Sequence, residues 1–305
     1  MEGEKGEGAL KKEDARSWYD KRYKLFFIVP MVFLFLCLGY LAFFVNQNGD
    51  IIYKDVSLTG GTSISVFDSN VDIGELKNSL GGEFSDLIVR GISDFRTGTQ
   101  KGFSVETKAD VEQIRGALEN YLGYKLEQEN SSIEFSGSTL SRGFYQQLRL
   151  AVFIAFVFMA IVVLLIFRSF VPSFAVILSA FADIVMTLAV VDYFGMQLSV
   201  AGIVAFLMLI GYSVDTDILL TSRLLKRHEG SVNEKIWGAF KTGMTMTLTS
   251  IAAVGISLFI IYNLSETLRQ IFTIVLIGLG FDMFNTWFTN ASILKWYVER
   301  KEGRK

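Results

Sequence analysis

Six stretches of this 305-residue chain are long and apolar enough to cross a bilayer, and that pattern restricts its fold more than any other feature. A helix needs roughly 20 apolar residues to span a hydrocarbon core. The stretches are 25–45, 148–167, 171–194, 198–220, 244–262 and 268–296. With no water to satisfy backbone polar groups in hydrocarbon, each stretch is expected to be a helix. A hydrophobic content of 51% and a mean hydropathy of +0.39 agree with a membrane class. The first stretch is too long for a signal-peptide core and lacks a small-residue cleavage site, so it reads as an anchor.

The predicted architecture is a polytopic α-helical membrane protein with one small α+β domain between the first and second helices. Its segments are 1–24 (N-terminal), 25–45 (first span), 46–145 (inserted domain), 146–296 (five-helix bundle) and 297–305 (tail). Lys and Arg set orientation. They crowd before the first span (Lys5, Lys11, Lys12, Arg16, Lys21, Arg22, Lys24), between the fourth and fifth (Arg223, Lys226, Arg227, Lys235) and in the tail. Both termini are therefore expected on the cytoplasmic side of a cell membrane, with 46–145 outside. That insertion holds 15 acidic and nine basic residues, net −6, which disfavours a nucleic-acid partner.

Within the insertion, 62–67 alternates polar and apolar residues as a half-buried strand does. An amphipathic helix is expected over 71–80, strands over 86–92 and 102–106, a second helix over 110–122, and a last strand over 132–135. The order βαββαβ predicts a ferredoxin-like domain. An additional strand over 51–58 would join the sheet or lead up from the membrane. Gly60 and Gly61 precede the first strand, where glycine permits positive φ or close backbone approach.

Four carboxylates sit deep inside the apolar spans: Asp183, Asp215, Asp217 and Asp282. A charge deep in a bilayer is costly, so such acids usually face a bundle interior on an ion, proton or substrate path. At 1.5 Å per residue Asp217 lies about 9 Å and Asp215 about 12 Å inside Arg223; Asp183 is about 18 Å and Asp282 about 21 Å into their spans. Asp215 and Asp217 point about 200° apart, so one is expected to face the bundle and the other an adjacent helix or subunit. Asp217 shares its face with Ser213 and Thr221, and Asp215 lies above Gly211, where a neighbouring helix could come close.

The fifth span offers a small-residue stripe of Gly238, Thr242, Thr245 and Thr249; in the sixth, Asp282, Asn285, Thr289 and Asn290 make one polar face. Lys241 is either a snorkelling lysine or the cationic partner of an Asp. No other buried base is evident to balance four acids, so proton uptake is the expected chemistry, with Asp215, Asp217, Asp183, Lys241 and Asp282 as relay candidates. The one cysteine, Cys37, excludes an intrachain disulfide, and one His leaves no metal-ligand cluster. Hydrolase and NTPase motifs are absent, so no enzyme activity, cofactor or metal is expected.

Together, the one-plus-five span layout, Leu58-Thr59-Gly60-Gly61-Thr62 and Gly211-Tyr212-Ser213-Val214 with its following acids resemble the SecD/SecF family, closest to the archaeal SecF type, within the resistance-nodulation-division superfamily. The resemblance covers nearly the whole chain. It implies a subunit that pairs with a six-span SecD, acts at the Sec channel on translocating preproteins, and uses the proton gradient. Where the bacterial pattern places Asn then Asp after Gly-Tyr-Ser and one apolar residue, this chain has Asp215 and Thr216. The bacterial His-Asp pair matches Ala182-Asp183, and a bacterial Arg falls on Lys241. The Gly60-Gly61 pair matches the family pattern and implies a role in shaping the base of the external domain.

Two other readings remain open at this level. A half-size proton-driven exporter of small molecules or lipids would share the intramembrane acids, and a scaffold would use them only as hydrogen-bond formers. Membrane lipid contacts the bundle in every case.

Overall fold

The computed structural model describes residues 2–93, 99–226, 231–262 and 266–302. His228 and residues 263–265 of the fifth-to-sixth connection lie outside them. Six helices meet the length and hydropathy of a membrane span: Leu25–Asn48, Gly143–Phe167, Phe170–Tyr193, Val200–Lys226, Val232–Ile261 and Thr267–Lys301. They belong to α1 (Glu2–Asn48), α5 (Ser138–Phe167), α6 (Phe170–Tyr193), α7 (Val200–Lys226), α8 (Val232–Ile261), and the pair α9 (Glu266–Asn285) and α10 (Ala291–Glu302). Most helices run past the apolar stretches because charged residues at their ends still suit a helix outside hydrocarbon.

α6, α7 and α9 pack against one another to form the interior, with α1, α5 and α8 outside them. α8 is the extreme case: only 6% of its span is buried, and Leu248, Ile256, Phe259 and Ile260 point outward. An apolar exterior of this kind suits lipid.

The expected single run over 268–296 is interrupted. Thr286–Asn290 forms a π turn between α9 and α10, with the Ala291 N–H reaching back to the Thr286 carbonyl. The i→i+5 pattern widens the helix by one residue and brings Asn290 round toward the side of Asn285.

Between α1 and α5 lies the sheet domain. β1 (Gly61–Val66), α3 (Ile73–Leu80), β2 (Ile88–Ser93), β3 (Gln100–Thr107), α4 (Val111–Leu122) and β4 (Ser131–Ser136) follow the expected βαββαβ order. The sheet is antiparallel with strand order β2-β3-β1-β4, the ferredoxin-like arrangement. Ile64, Val66, Phe103 and Val105 turn one face toward Leu76, Ile114 and Leu118 of the two helices, all fully buried. Asp72 caps α3 by accepting from the Gly74 and Glu75 N–H groups, and Gly123 ends α4 with φ +77°.

The additional strand over 51–58 is not formed. Asp55 instead caps a short helix, α2 (Val56–Thr59), whose Leu58 is buried among Val191, Leu198 and Ile203 of the bundle. Lys54 makes a lone parallel bridge with Leu198, so this connector pairs with the α6–α7 turn rather than with the sheet. The local cap and the burial of Leu58 outweigh the β-branched character of Ile51, Ile52 and Val56.

Gly60 and Gly61 have φ +83° and +137°. A Cβ on Gly61 would lie 2.4 Å from the Thr107 carbonyl oxygen. Glycine is therefore required where β1 leaves the connector and passes β3.

Candidate proton-relay site within the membrane

Asp183, Asp217 and Asp282, on α6, α7 and α9, are all fully buried and lie close enough to one another to interact electrostatically. Each has a different set of donors. Asp183 accepts from the Ser213 hydroxyl at 2.5 Å and from Asn285 Nδ2 at 2.7 Å, so both of its oxygens are engaged. Asp217 accepts from Asn290 Nδ2 at 2.8 Å on Oδ1, while Oδ2 has no partner. Asp282 accepts a 3.3 Å bond from Thr286 on Oδ1, and its Oδ2 is likewise open.

The π turn supplies two of these four donors, Thr286 and Asn290, and Asn285 immediately precedes it. Asn285, Thr286, Thr289 and Asn290 are fully buried, and Thr289 donates to Asn285 Oδ1 at 3.3 Å, extending the chain that ends on Asp183. Ser179 and Thr187 stand one turn to either side of Asp183, both fully buried and with unpartnered hydroxyls. The arrangement is a buried polar core in which several side-chain oxygens have no protein hydrogen-bond partner. An unsatisfied carboxylate oxygen in such a place costs several kcal/mol if charged and unpaired, by order of magnitude, which a bound proton relieves.

The remaining predicted residues fall outside this cluster. Asp215 is exposed on the bundle surface beside Tyr212 and Gly211. No atom of a neighbouring described residue comes within 4 Å of a Cβ built on Gly211, so the helix approach expected there is not made within this chain. Lys241 is exposed and stands over the Trp237 ring at 5.9 Å; it is not the cationic partner of a buried Asp.

The α8 stripe divides: Gly238 and Thr242 meet Arg223 of α7, and Thr245 and Thr249 turn away from the bundle. Thr245 and Thr249 are exposed and bond their own helix backbone, and Thr242 accepts from Arg223, which also donates to the Gly238 carbonyl. The buried face of α8 is Ile236, Ala239, Gly243 and Thr247 instead. A Cβ on Gly243 would meet the Trp287 ring at 2.6 Å, which is why glycine permits the approach.

Two buried charged residues escaped the sequence reading. Lys295 is fully buried in the first half of α10, donating to Asn233 at 2.8 Å, with Glu299 at 3.7 Å and the Tyr23 ring at 5.2 Å. Among the described residues the buried base of the bundle is therefore Lys295, not Lys241. Asp192, at the opposite end of α6, is only 2% exposed. The i, i+4, i+8 row Ser179–Asp183–Thr187 was legible from spacing, whereas the surroundings of Lys295 and Asp192 come from distant segments.

A family profile described as "Protein export membrane protein SecD/SecF, C-terminal" matches residues 118–300. SecF of Methanolacinia petrolearia is 39% identical over 89% of this chain and 93% of its own length. SecF of Methanocaldococcus jannaschii is 38% identical over 93% and 99%. The chain belongs to the SecF family of protein-export membrane proteins. That membership puts it in the Sec export pathway and displaces the small-molecule exporter reading.

The fold has a solved counterpart. The crystal structure of SecDF, a translocon-associated membrane protein from Thermus thermophilus, superposes with a TM-score of 0.74 at 17% identity, over 92% of this chain. The match spans 38% of that longer SecDF chain.

Proposed function

We propose that this SecF-family chain acts as a proton-coupled accessory subunit of the Sec export machinery, paired with a SecD-like six-span subunit. The observation that carries the proton reading is the trio Asp183, Asp217 and Asp282: fully buried, with two open carboxylate oxygens and no Lys or Arg paired with them among the described residues. A site of this kind can take up and release protons without importing a bulky ligand. Binding a proton differently in two conformations is what lets a gradient do work.

Support for a partner is the exposed Asp215 with Tyr212 on α7, and Lys241, Thr245 and Thr249 on α8. A carboxylate at this depth is poorly suited to lipid and well suited to a second protein surface. Elsewhere the surface fits lipid: an apolar groove of about 460 Å³ is lined by Val29, Phe33, Val190, Ile277, Phe281 and Phe284. In this reading residues 46–145 lie outside the cell membrane near the emerging preprotein, and both termini are cytoplasmic. The Sec channel and the preprotein are the other partners.

The test uses cells depleted of their own copy and a secreted reporter, with the proton gradient intact or collapsed. Asp217→Asn should remove the gradient-dependent share of export while still co-purifying with the SecD-like subunit. Export by Asp183→Asn and Asp217→Asn at the wild-type level refutes proton coupling. Recovery of the wild-type chain alone in mild detergent refutes the pairing.

A further inference from the structure

Asp192 is a buried carboxylate that the proton-relay cluster does not use. It ends α6 beside the connector that carries the sheet domain, and both of its carboxylate oxygens lack a hydrogen-bond partner. The backbone N–H of Tyr53 acts on the carboxylate but stops short of hydrogen-bond geometry. Nine residues separate Asp192 from Asp183, about 14 Å and two and a half turns, which puts the two acids on opposite sides of α6.

The segment next to it is the seat of the sheet domain. Leu198 donates to the Tyr53 carbonyl at 2.6 Å, and Asp55 N–H donates to the Leu198 carbonyl at 3.1 Å. Val200 N–H donates to the Ser57 hydroxyl at 3.1 Å, and Leu58 is buried against Val191 and Leu198. The same α6–α7 turn is closed by Gly195 N–H on the Asp192 carbonyl. Connector and carboxylate thus share one small, closely packed contact.

Charged groups on the surrounding elements are engaged elsewhere. Lys54 of the connector pairs with Asp50 at 2.7 Å, and Tyr145 of α5 donates to Asp50 as well. Arg149 of α5 stands over the Tyr145 ring, and Arg269 of α9 over the Tyr262 ring. From α1 the group facing Asp192 is Tyr40, and Tyr193 follows it on α6. Gln270 of α9 is bonded to Ser199 and to the Gln197 carbonyl.

We propose that Asp192 is a second, separate proton-binding site, which governs how firmly the connector of the sheet domain is seated on the bundle. A neutral carboxyl is compatible with the closed, buried contact. The ionised form needs several donors, more than the single Tyr53 N–H can offer, so it admits water and loosens the pairing of Tyr53 and Asp55 with Leu198. The site does not depend on the export reading.

Hydrogen exchange of residues 50–60, corrected for the intrinsic pH dependence of exchange, tests this in the full chain in lipid nanodiscs between about pH 5 and pH 8. The wild type should lose protection there by roughly tenfold as pH rises, and Asp192→Asn should stay at the acid, protected level. Asp217→Asn, which alters the other cluster, should follow the wild type. A flat wild-type profile overturns the proposal. So does an Asp192→Asn profile that follows the wild type, or a flat one in Asp217→Asn, since the proton would then lie elsewhere.

Discussion

Replacing Asn290 by Leu removes the donor that engages Asp217 Oδ1. The Asn290 Nδ2 to Asp217 Oδ1 bond is 2.8 Å long, and both side chains are fully buried. In a soluble protein a hydrogen bond to a charged group contributes about 1.5–3 kcal/mol. Inside a membrane the unfolded chain also finds partners, and measured values average about 0.6 with a ceiling near 1.7 kcal/mol. The full burial of both partners puts the expected loss near the upper end, about 1.5 kcal/mol. The assay is reversible unfolding in mixed micelles for Asn290→Leu, Asp217→Leu and the double variant, since Leu at either position removes the bond whereas Asn at 217 would still accept it. A coupling energy of about 1 kcal/mol is expected between the two positions. Additivity within about 0.4 kcal/mol would refute the claim that this bond holds the site together.

Two further outcomes test the sheet domain. Burial favours the neutral form of Asp86, yet the Lys108 N–H at 2.6 Å and the Thr107 hydroxyl at 3.0 Å prevail and hold its carboxyl below the usual carboxylate range. A lowered folded value means stability that is present above the unfolded pKa of about 3.9 and lost as pH falls through the folded value. Asp86→Asn should therefore cost about 0.5–1 kcal/mol at neutral pH, a modest figure for a largely solvated site, with the difference lost as pH falls through the folded value in acid titration of exchange protection. Gly61→Ala should raise exchange across β1 and β3 by more than tenfold, because φ +137° costs about 1–3 kcal/mol and the new Cβ meets the Thr107 carbonyl; unchanged protection would refute the glycine requirement.

Asp215 and Asp217 show how far a sequence can be read and where it stops. Helical geometry alone separates the two by about 200°, so different surroundings were legible. Which one turns inward depends on the packing of α6 and α9 against α7, and the structure buries Asp217 and exposes Asp215. Lys241 and Lys295 make the same point for bases. Spacing offered Lys241 as a candidate, but α8 lies at the rim, where its lysine stands over Trp237. Lys295 is buried because Tyr23 and Asn233, far away in the chain, close over it.

Span number, the βαββαβ order and the presence of acids within the membrane were determined by the sequence itself. Each follows from near-neighbour patterns: hydrophobic run length, the 3.6- and 2-residue periods, and the cost of charge in hydrocarbon. The tertiary structure decided the π turn that brings Asn290 round to Asp217, the pairing of Asp183 with Ser213 and Asn285, and the seat of the connector on Leu198. Those features depend on contacts between residues dozens to more than a hundred positions apart. Periodicity says which face of a helix is polar, but only the packing of several helices says what that face meets.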